Sequence, residues 1–386
     1  VTTPASENRY SFLTGAGKAA IGVAWFRGPA ADELLKRCFH ASKKSDLPVS
    51  PVGSVVYGRW GFSGAGASVQ EDVVVLKRGP SEYEVHVHGG EQSRACLRRT
   101  FQTGGFEELE SEQWLRLQVG SELAAALAIG LLNCQTERAA RLLLGQELAW
   151  GRWLSGLRKL IAQRDRLQLV EAVGEVLSRE SMAEHLTKPW RVVLAGLPNV
   201  GKSSLINAIC GFERAIVHST PGTTRDVVTQ QVVIDGWLFE IADTAGQRDT
   251  EGEIERAGIE LARAAWHSAD CRVEVRDASK RAEAARFVIE PAADLIVANK
   301  VDLSGVEVEA DELPVSARTG VGLSQFQSAL VQRVLPHAVG PLEPLPVAGP
   351  LMELLEEMQG AGQTSDWLAV ERIYERLAEY CGQRNG

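Results

Sequence analysis

Apolar residues in the first hundred positions come in short runs broken by glycine. Ala20-Ile21-Gly22-Val23-Ala24-Trp25-Phe26, Ser54-Val55-Val56-Tyr57 and Asp72-Val73-Val74-Val75-Leu76 have the length and β-branched content of strands. Glu84-Val85-His86-Val87-His88 alternates, as a half-buried strand does. Ala31 to Cys38 and Glu91 to Thr100 read as helices, so residues 1–118 predict a small N-terminal α/β domain. Then the period changes. No proline occurs from Ser81 to Lys188, and helical spacing runs from Glu122 to about Trp150 and from Gly151 to about Leu186. Leu131, Leu132, Arg138, Ala139, Leu142 and Leu143 mark one seam; Leu154, Leu157, Leu160, Ile161, Leu167 and Leu169 mark another. Such stripes are the packing faces of a helical bundle, here the first part of a helical domain over 119–188.

Residues 189–338 return to the α/β pattern. A Pro-rich linker, Pro341-Leu-Glu-Pro344-Leu-Pro346, then leads into helical patterns around Leu351 to Met358 and Trp367 to Tyr380. Residues 339–386 therefore read as linker and C-terminal part of the helical domain. Helices on both sides suggest that the central domain is inserted between helices of one bundle.

The candidate chemistry lies at the start of that central domain. Val192-Val193-Leu194 is a short buried strand, Gly196-Leu-Pro-Asn199-Val200-Gly201-Lys202-Ser203-Ser204 fits G-x-x-x-x-G-K-S, and Leu205-Ile206-Asn207-Ala208-Ile209 opens a helix. Strand, Gly-rich turn and helix N-terminus in that order make a P-loop, whose backbone N–H groups cradle phosphates. Lys202 would bridge the β- and γ-phosphates, and Ser203 would ligate Mg²⁺. Thr223 and Thr224, in a polar loop before the next strand, suit a switch that meets Mg²⁺ and γ-phosphate. Val232 to Phe239 reads as a hairpin with an Asp235-Gly236 turn, leading to Asp243-Thr-Ala-Gly246. Asp243 would hold an Mg²⁺-bound water, and the Gly246 N–H would sense the γ-phosphate. In Asn299-Lys300-Val-Asp302 the last carboxylate matches the N1–H and exocyclic amine of guanine, which adenine lacks, so GTP is expected over ATP. Ser316 and Ala317 would complete that pocket. The fold class is therefore α/β: a P-loop GTPase domain with a mixed, mostly parallel sheet over 189–338, flanked by helical-bundle segments and the small N-terminal domain.

Composition narrows the setting without changing it. The 386 residues carry a net charge of −9, which argues against a chain built to coat polyanions but leaves room for a local basic patch. Six scattered cysteines with no C-x-x-C pair indicate neither a zinc site nor a disulfide framework. With no apolar run of membrane-span length and no signal-peptide core, a cytoplasmic location is the default expectation. The first residue is Val1, which reads as a missing start or an unusual start codon. His86 and His88 share a strand face but lack a third ligand nearby, and read as ordinary strand histidines. Gly15-Ala-Gly17-Lys18 lacks the preceding strand and following Ser or Thr of a second P-loop.

Gly-Leu-Pro-Asn199-Val-Gly-Lys-Ser-Ser, Gly222-Thr-Thr-Arg-Asp226, Asp243-Thr-Ala-Gly246 and Glu255-Arg-Ala-Gly-Ile-Glu260 together resemble the tRNA-modification GTPases of the TrmE/MnmE family. Outside this domain Ala20-Ile-Gly-Val, His88-Gly-Gly and Thr136-Glu-Arg-Ala-Ala-Arg141 resemble its N-terminal strand, folate-domain motif and first bundle helix. The resemblance implies a K⁺ ion held by Asn199 when two GTPase domains meet, and a homodimer through the N-terminal domain. It further implies a flavoprotein partner and use of a tetrahydrofolate derivative to modify the wobble uridine (U34) of certain tRNAs. The residue matching Glu255 would orient the attacking water through a second one. From position alone Gln247, directly after Gly246, is the other candidate for that task.

Departures from the family pattern leave alternatives open. Trp25-Phe26-Arg27 replaces its Arg-Ile-Ser, Lys18 replaces an arginine, and no Pro-Gly-Glu-Phe or Asn-Gly-Lys stands between Gly104 and Ser121. The tail is short, and its Cys-x-Gly-Lys ending is reduced to Cys381-Gly382-Gln383-Arg384. Cys381 is either the family's functional tail cysteine or a buried helix-end thiol. The chain reads either as the GTPase of uridine modification or as a regulatory GTPase switch that docks RNA, ribosome or a protein partner.

Overall fold

The structure, a computed structural model, describes residues 7–15, 19–43, 46–61, 71–212, 229–243, 260, 262–280, 290–303, 306–335 and 339–383. Its contacts divide the chain into two units, one ending at Gly120 and one starting at Ser121.

The first unit is built on seven strands: β1 (Arg9–Phe12), β2 (Ile21–Arg27), β3 (Phe39–Ala41), β4 (Val55–Trp60), β5 (Glu71–Gly79), β6 (Glu82–His88) and β7 (Glu107–Glu108). They pair in the order β3-β4-β5-β6-β2-β1-β7, antiparallel except for β1 with β7. Alternation decides which face is buried. Ala24 and Phe26 of β2, with Tyr83, Val85 and Val87 of β6, point into one core. Helices α1 (Ala31–Cys38) and α2 (Glu91–Thr103) supply Leu34, Leu35, Leu97 and Phe101 to it. A third helix, α3 (Ser111–Arg116), buries Trp114 beside Trp25, ring centroids 5.7 Å apart.

In the second unit, α4 (Glu122–Asn133), α5 (Glu137–Gln163), α6 (Arg166–Leu177) and α7 (Glu180–Glu184) precede the nucleotide-binding sheet. The break between α4 and α5 falls at Cys134 to Thr136, not near Trp150. There Thr136 caps α5, its Oγ1 accepting from Ala139 N at 3.2 Å. Gly151 is carried inside α5 because Trp150, Leu154 and Leu157 bury around it, which outweighs a glycine's cost of ~1 kcal/mol. Arg164, at φ 51°, ends that helix in the left-handed conformation.

The sheet comprises β8 (Trp190–Ala195), β9 (Thr229–Ile234), β10 (Trp237–Asp243), β11 (Cys271–Asp277), β12 (Leu295–Asn299) and β13 (Glu312–Val315), in the order β13-β12-β11-β8-β10-β9. All neighbours are parallel except β9 and β10, joined by the Asp235-Gly236 turn with φ 49° and 75°. Those positive angles are what a tight two-residue hairpin requires. Helix α8 (Lys202–Phe212) follows β8, and α9 (Leu323–Val334) packs Phe326 and Leu330 into the same core.

Two final helices, α10 (Gly349–Thr364) and α11 (Trp367–Tyr380), return to α6 and α5 respectively. The linker before them is pinned in passing. Trp150 Nε1 donates to Leu345 O at 3.1 Å, while Gln146 accepts from Leu345 N at 2.7 Å and donates to Glu343 O at 3.1 Å. Buried polar groups of α5 thus satisfy a proline-bordered segment that has no ladder of its own. Among the described residues no helix is long and apolar enough to cross a membrane.

Candidate guanine-nucleotide site

Central position makes β8 the natural floor of a ligand site: its C-terminal end opens between β10 on one side and β11 on the other. The turn leaving it is shaped by two glycines. Gly196 sits at φ 154° and Gly201 at φ 98°; a Cβ on the first would collide with the Val275 carbonyl oxygen, on the second with Asn299 Nδ2. Asn199 holds a left-handed φ of 63° between them, and Val200 is buried beneath.

Lys202 enters α8 with its ammonium folded back into the loop, donating to Gly196 O at 2.9 Å and Leu197 O at 3.1 Å. Burial lowers its pKa, only partly offset by the Asp243 carboxylate. An ammonium so placed fills the cradle and has carbonyl partners that an incoming phosphate would outcompete. Ser203 Oγ donates to Asp243 Oδ2 at 2.6 Å, bringing together a hydroxyl and a carboxylate from the helix start and from the end of β10. Ser204, next on α8, is exposed.

The loops after β12 and β13 close the other side. Asn299 is buried, donates through Nδ2 to Val200 O at 2.9 Å and accepts from Ala317 N at 3.1 Å through Oδ1. One amide therefore ties the P-loop to the loop after β13. Lys300, at φ 70°, sends Nζ to Asn199 O at 2.8 Å and to Asp277 Oδ2 at 2.6 Å. Asp302 is oriented by Ser316, whose Oγ donates to Oδ1 at 2.7 Å and itself accepts from Thr319 N. The exposed Arg318 stands 3.8 Å from the other oxygen.

Gly196, Asn199, Val200, Gly201, Lys202, Ser203, Ser204, Asp243, Asn299, Lys300, Asp302, Ser316 and Ala317 thus come from strand ends, the loops after them and the first turn of α8, at one end of the sheet. Thr223, Thr224, Gly246, Gln247 and Glu255 lie outside the described residues. Asp277 was missed by sequence reasoning, because a single Asp closing a strand carries no motif.

Elsewhere, His86 Nε2 meets Glu84 Oε1 at 2.8 Å and His88 stands 3.6 Å from Glu71. Among the described residues no group of three or more His, Cys, Asp or Glu could hold a metal. Cys381 ends α11 buried, and burial pushes its thiol up to about 12.

A family model described as 50S ribosome-binding GTPase matches residues 191–300, the stretch from β8 through Lys300. A tRNA modification GTPase MnmE of Synechococcus sp. (strain RCC307) is 32% identical over 363 residues, covering 82% of this chain and 78% of that protein. The chain belongs to the MnmE family of tRNA modification GTPases. The MnmE of Gluconacetobacter diazotrophicus is similar too, 30% identical with 84% and 81% of the two chains covered. Among solved structures, the G domain of the T. maritima FeoB iron transporter is 22% identical over 38% of this chain and 98% of that one, with a TM-score of 0.31.

Membership of the MnmE family makes the chain a GTPase, with GTP and Mg²⁺ as the ligands of its central domain. The donor set fits that ion. Ser203 and Asp243 offer hard oxygens from two rigid elements, already within hydrogen-bonding distance of each other.

Proposed function

We propose that this chain hydrolyses GTP to drive modification of the tRNA wobble uridine (U34), stimulated by K⁺ through pairing of its GTPase domains. The observation that carries the nucleotide part is Asn299, which joins the P-loop to the loop of Ala317 and so assembles phosphate and base subsites as one body. Lys202 releases its carbonyl partners to bridge the β- and γ-phosphates. Ser203 and Thr224 would hold Mg²⁺, with Asp243 holding a water bound to it, and the ion would supply positive charge against the phosphates. Gly201 and its neighbours Gly196, Val200 and Ser204 present backbone N–H groups, and Thr223 and Thr224 are the switch residues. Asp302 accepts from the guanine ring, Ser316 fixes its carboxylate, and the Ala317 backbone meets the guanine oxygen. The Gly246 N–H senses the γ-phosphate, and Gln247 or Glu255 orients the attacking water. Asn199 supplies the K⁺ ligand.

tRNA, a flavoprotein partner and a tetrahydrofolate derivative complete this reading, in a cytoplasmic homodimer joined through the N-terminal domain. Support for the pairing comes from the open face of the first sheet, where Ile21, Val55 and Tyr57 are 56%, 63% and 54% exposed. Nucleoside mass spectrometry of tRNA from a deletion strain tests the uridine reading. Loss of the modified U34, restored by the wild-type gene, is expected; an unchanged nucleoside profile would sink it.

A second reading, a regulatory GTPase switch that docks RNA, ribosome or a protein partner, is favoured by Cys381. Its burial at the end of α11 withholds the thiol from a uridine substrate, and the same burial pushes its pKa up to about 12. The same mass-spectrometric result separates the two.

A further inference from the structure

We infer that Asp277 is a positioning residue of the nucleotide site, holding Lys300, and through it the P-loop, in the geometry that receives a guanine nucleoside. This rests on the guanine-nucleotide reading of that site and adds a residue that no motif contains.

Asp277 closes β11 and lies beside Asn299 of β12 in the parallel register. Only 6% of it is exposed, so its charge has to be met by partners and not by water. Both oxygens are engaged. Oδ2 accepts from Lys300 Nζ at 2.6 Å, and Oδ1 accepts from Ser279 N at 3.0 Å and Ser279 Oγ at 2.6 Å. Desolvation works to raise the carboxyl pKa, but the bonds from Lys300 and Ser279 prevail and leave it lowered.

The ammonium that Asp277 holds is shared with Asn199 O at 2.8 Å. One lysine therefore links the ends of β8, β11 and β12. At both ends of that link the backbone is unfavourable for a residue with a side chain: Lys300 has φ 70° and Asn199 φ 63°. Each such position carries backbone strain and persists only where surrounding bonds over-determine it. The charge-assisted Lys300–Asp277 bond is the strongest bond available to do this, since the alternative acceptor is a neutral carbonyl. Without the carboxylate, Lys300 keeps one partner in a partly exposed position, and its four-carbon stem regains rotamer freedom. Binding a nucleoside would then have to restore that order, and affinity would fall accordingly.

Asp277 is bonded to neither Ser203 nor Asp243, so the chemical step should be spared while nucleotide binding suffers. Full-length wild type, Asp277→Asn, Lys300→Met and the double variant are compared by fluorescent GDP binding and steady-state GTP hydrolysis. Asp277→Asn should raise the GDP Kd and the GTP KM about tenfold, the effect of losing one charged hydrogen bond, with kcat within about twofold. In the Lys300→Met background it should add nothing, because the side chain it acts through has gone. Should Asp277→Asn fail to fold, Ser279→Ala, which removes one donor to Oδ1, should raise KM about threefold on the same reasoning.

An unchanged KM, or an equal loss in both backgrounds, overturns the positioning role while leaving the guanine site standing. A wild type that binds no guanine nucleotide overturns the site itself.

Discussion

Asn199 shows how far a residue's meaning depends on its neighbours. Within the P-loop spacing it fills a variable position; in the structure it is an exposed residue in left-handed conformation whose carbonyl is held by Lys300. Under the proposed function its side chain serves a monovalent cation. GTP turnover by the wild type should rise when K⁺ replaces Na⁺, and Asn199→Ala should abolish that difference. A variant that keeps full K⁺ stimulation would remove Asn199 from the cation site. Lys202, Ser203, Asn299 and Asp302 were legible because phosphate and guanine chemistry demand fixed residue types at short, fixed spacing. Asp277 was not, since its partner Lys300 lies 23 positions away and only the parallel pairing of β11 with β12 brings them together.

Elements were read best where one force dominates. The Asp235-Gly236 hairpin and the buried β8 were visible from turn chemistry and an apolar run. The boundaries of α4 and α5 were not. Gly151 suggested a break, whereas the Thr136 cap and the burial of Trp150 decided the outcome. No motif marked the join between α7 and β8 either. His185, just after α7, stacks on Trp190 at 3.6 Å with 6° between the rings. Its Nδ1 lies 2.7 Å from Ser181 O and its Nε2 3.2 Å from Asp270 Oδ2. Both ring nitrogens of His185 therefore face oxygen atoms, one on α7 and one on the residue before β11.

Asp270 Oδ2 also accepts from Arg191 N at 2.7 Å, and Glu184 and Lys188 pair with each other alongside. Desolvation works to raise the Asp270 pKa, but the bonds from His185 and Arg191 outweigh it and hold the folded carboxyl below the usual carboxylate range. A carboxyl with a depressed folded pKa contributes stability that is present above its unfolded pKa and is lost as pH falls through the folded one. Asp270→Asn should therefore lower unfolding free energy by about 1–3 kcal/mol at pH 7, with the gap to wild type closing below about pH 4. Denaturant titrations across that range check it, and a gap that stays constant with pH would refute the ionic account.

At the scale of the molecule, two units each carry their own core, and the second holds both the nucleotide sheet and the helices on either side of it. Burial of Trp150, Leu345, Leu355 and Leu377 in one cluster explains why short tail helices persist: their apolar faces are completed by α5 and α6, not by each other alone. Periodicity revealed that those faces exist but not which partner each would find.

Which nucleotide the central domain selects decides its function. Steady-state hydrolysis of GTP and of xanthosine triphosphate, by wild type and Asp302→Asn in the presence of Mg²⁺, tests this most directly. The Ser316-oriented carboxylate predicts strong preference for GTP in the wild type and a reversal toward the xanthine nucleotide in the variant, by about 100-fold or more in kcat/KM. Equal use of GTP by both proteins, with no gain for the xanthine nucleotide, would contradict it.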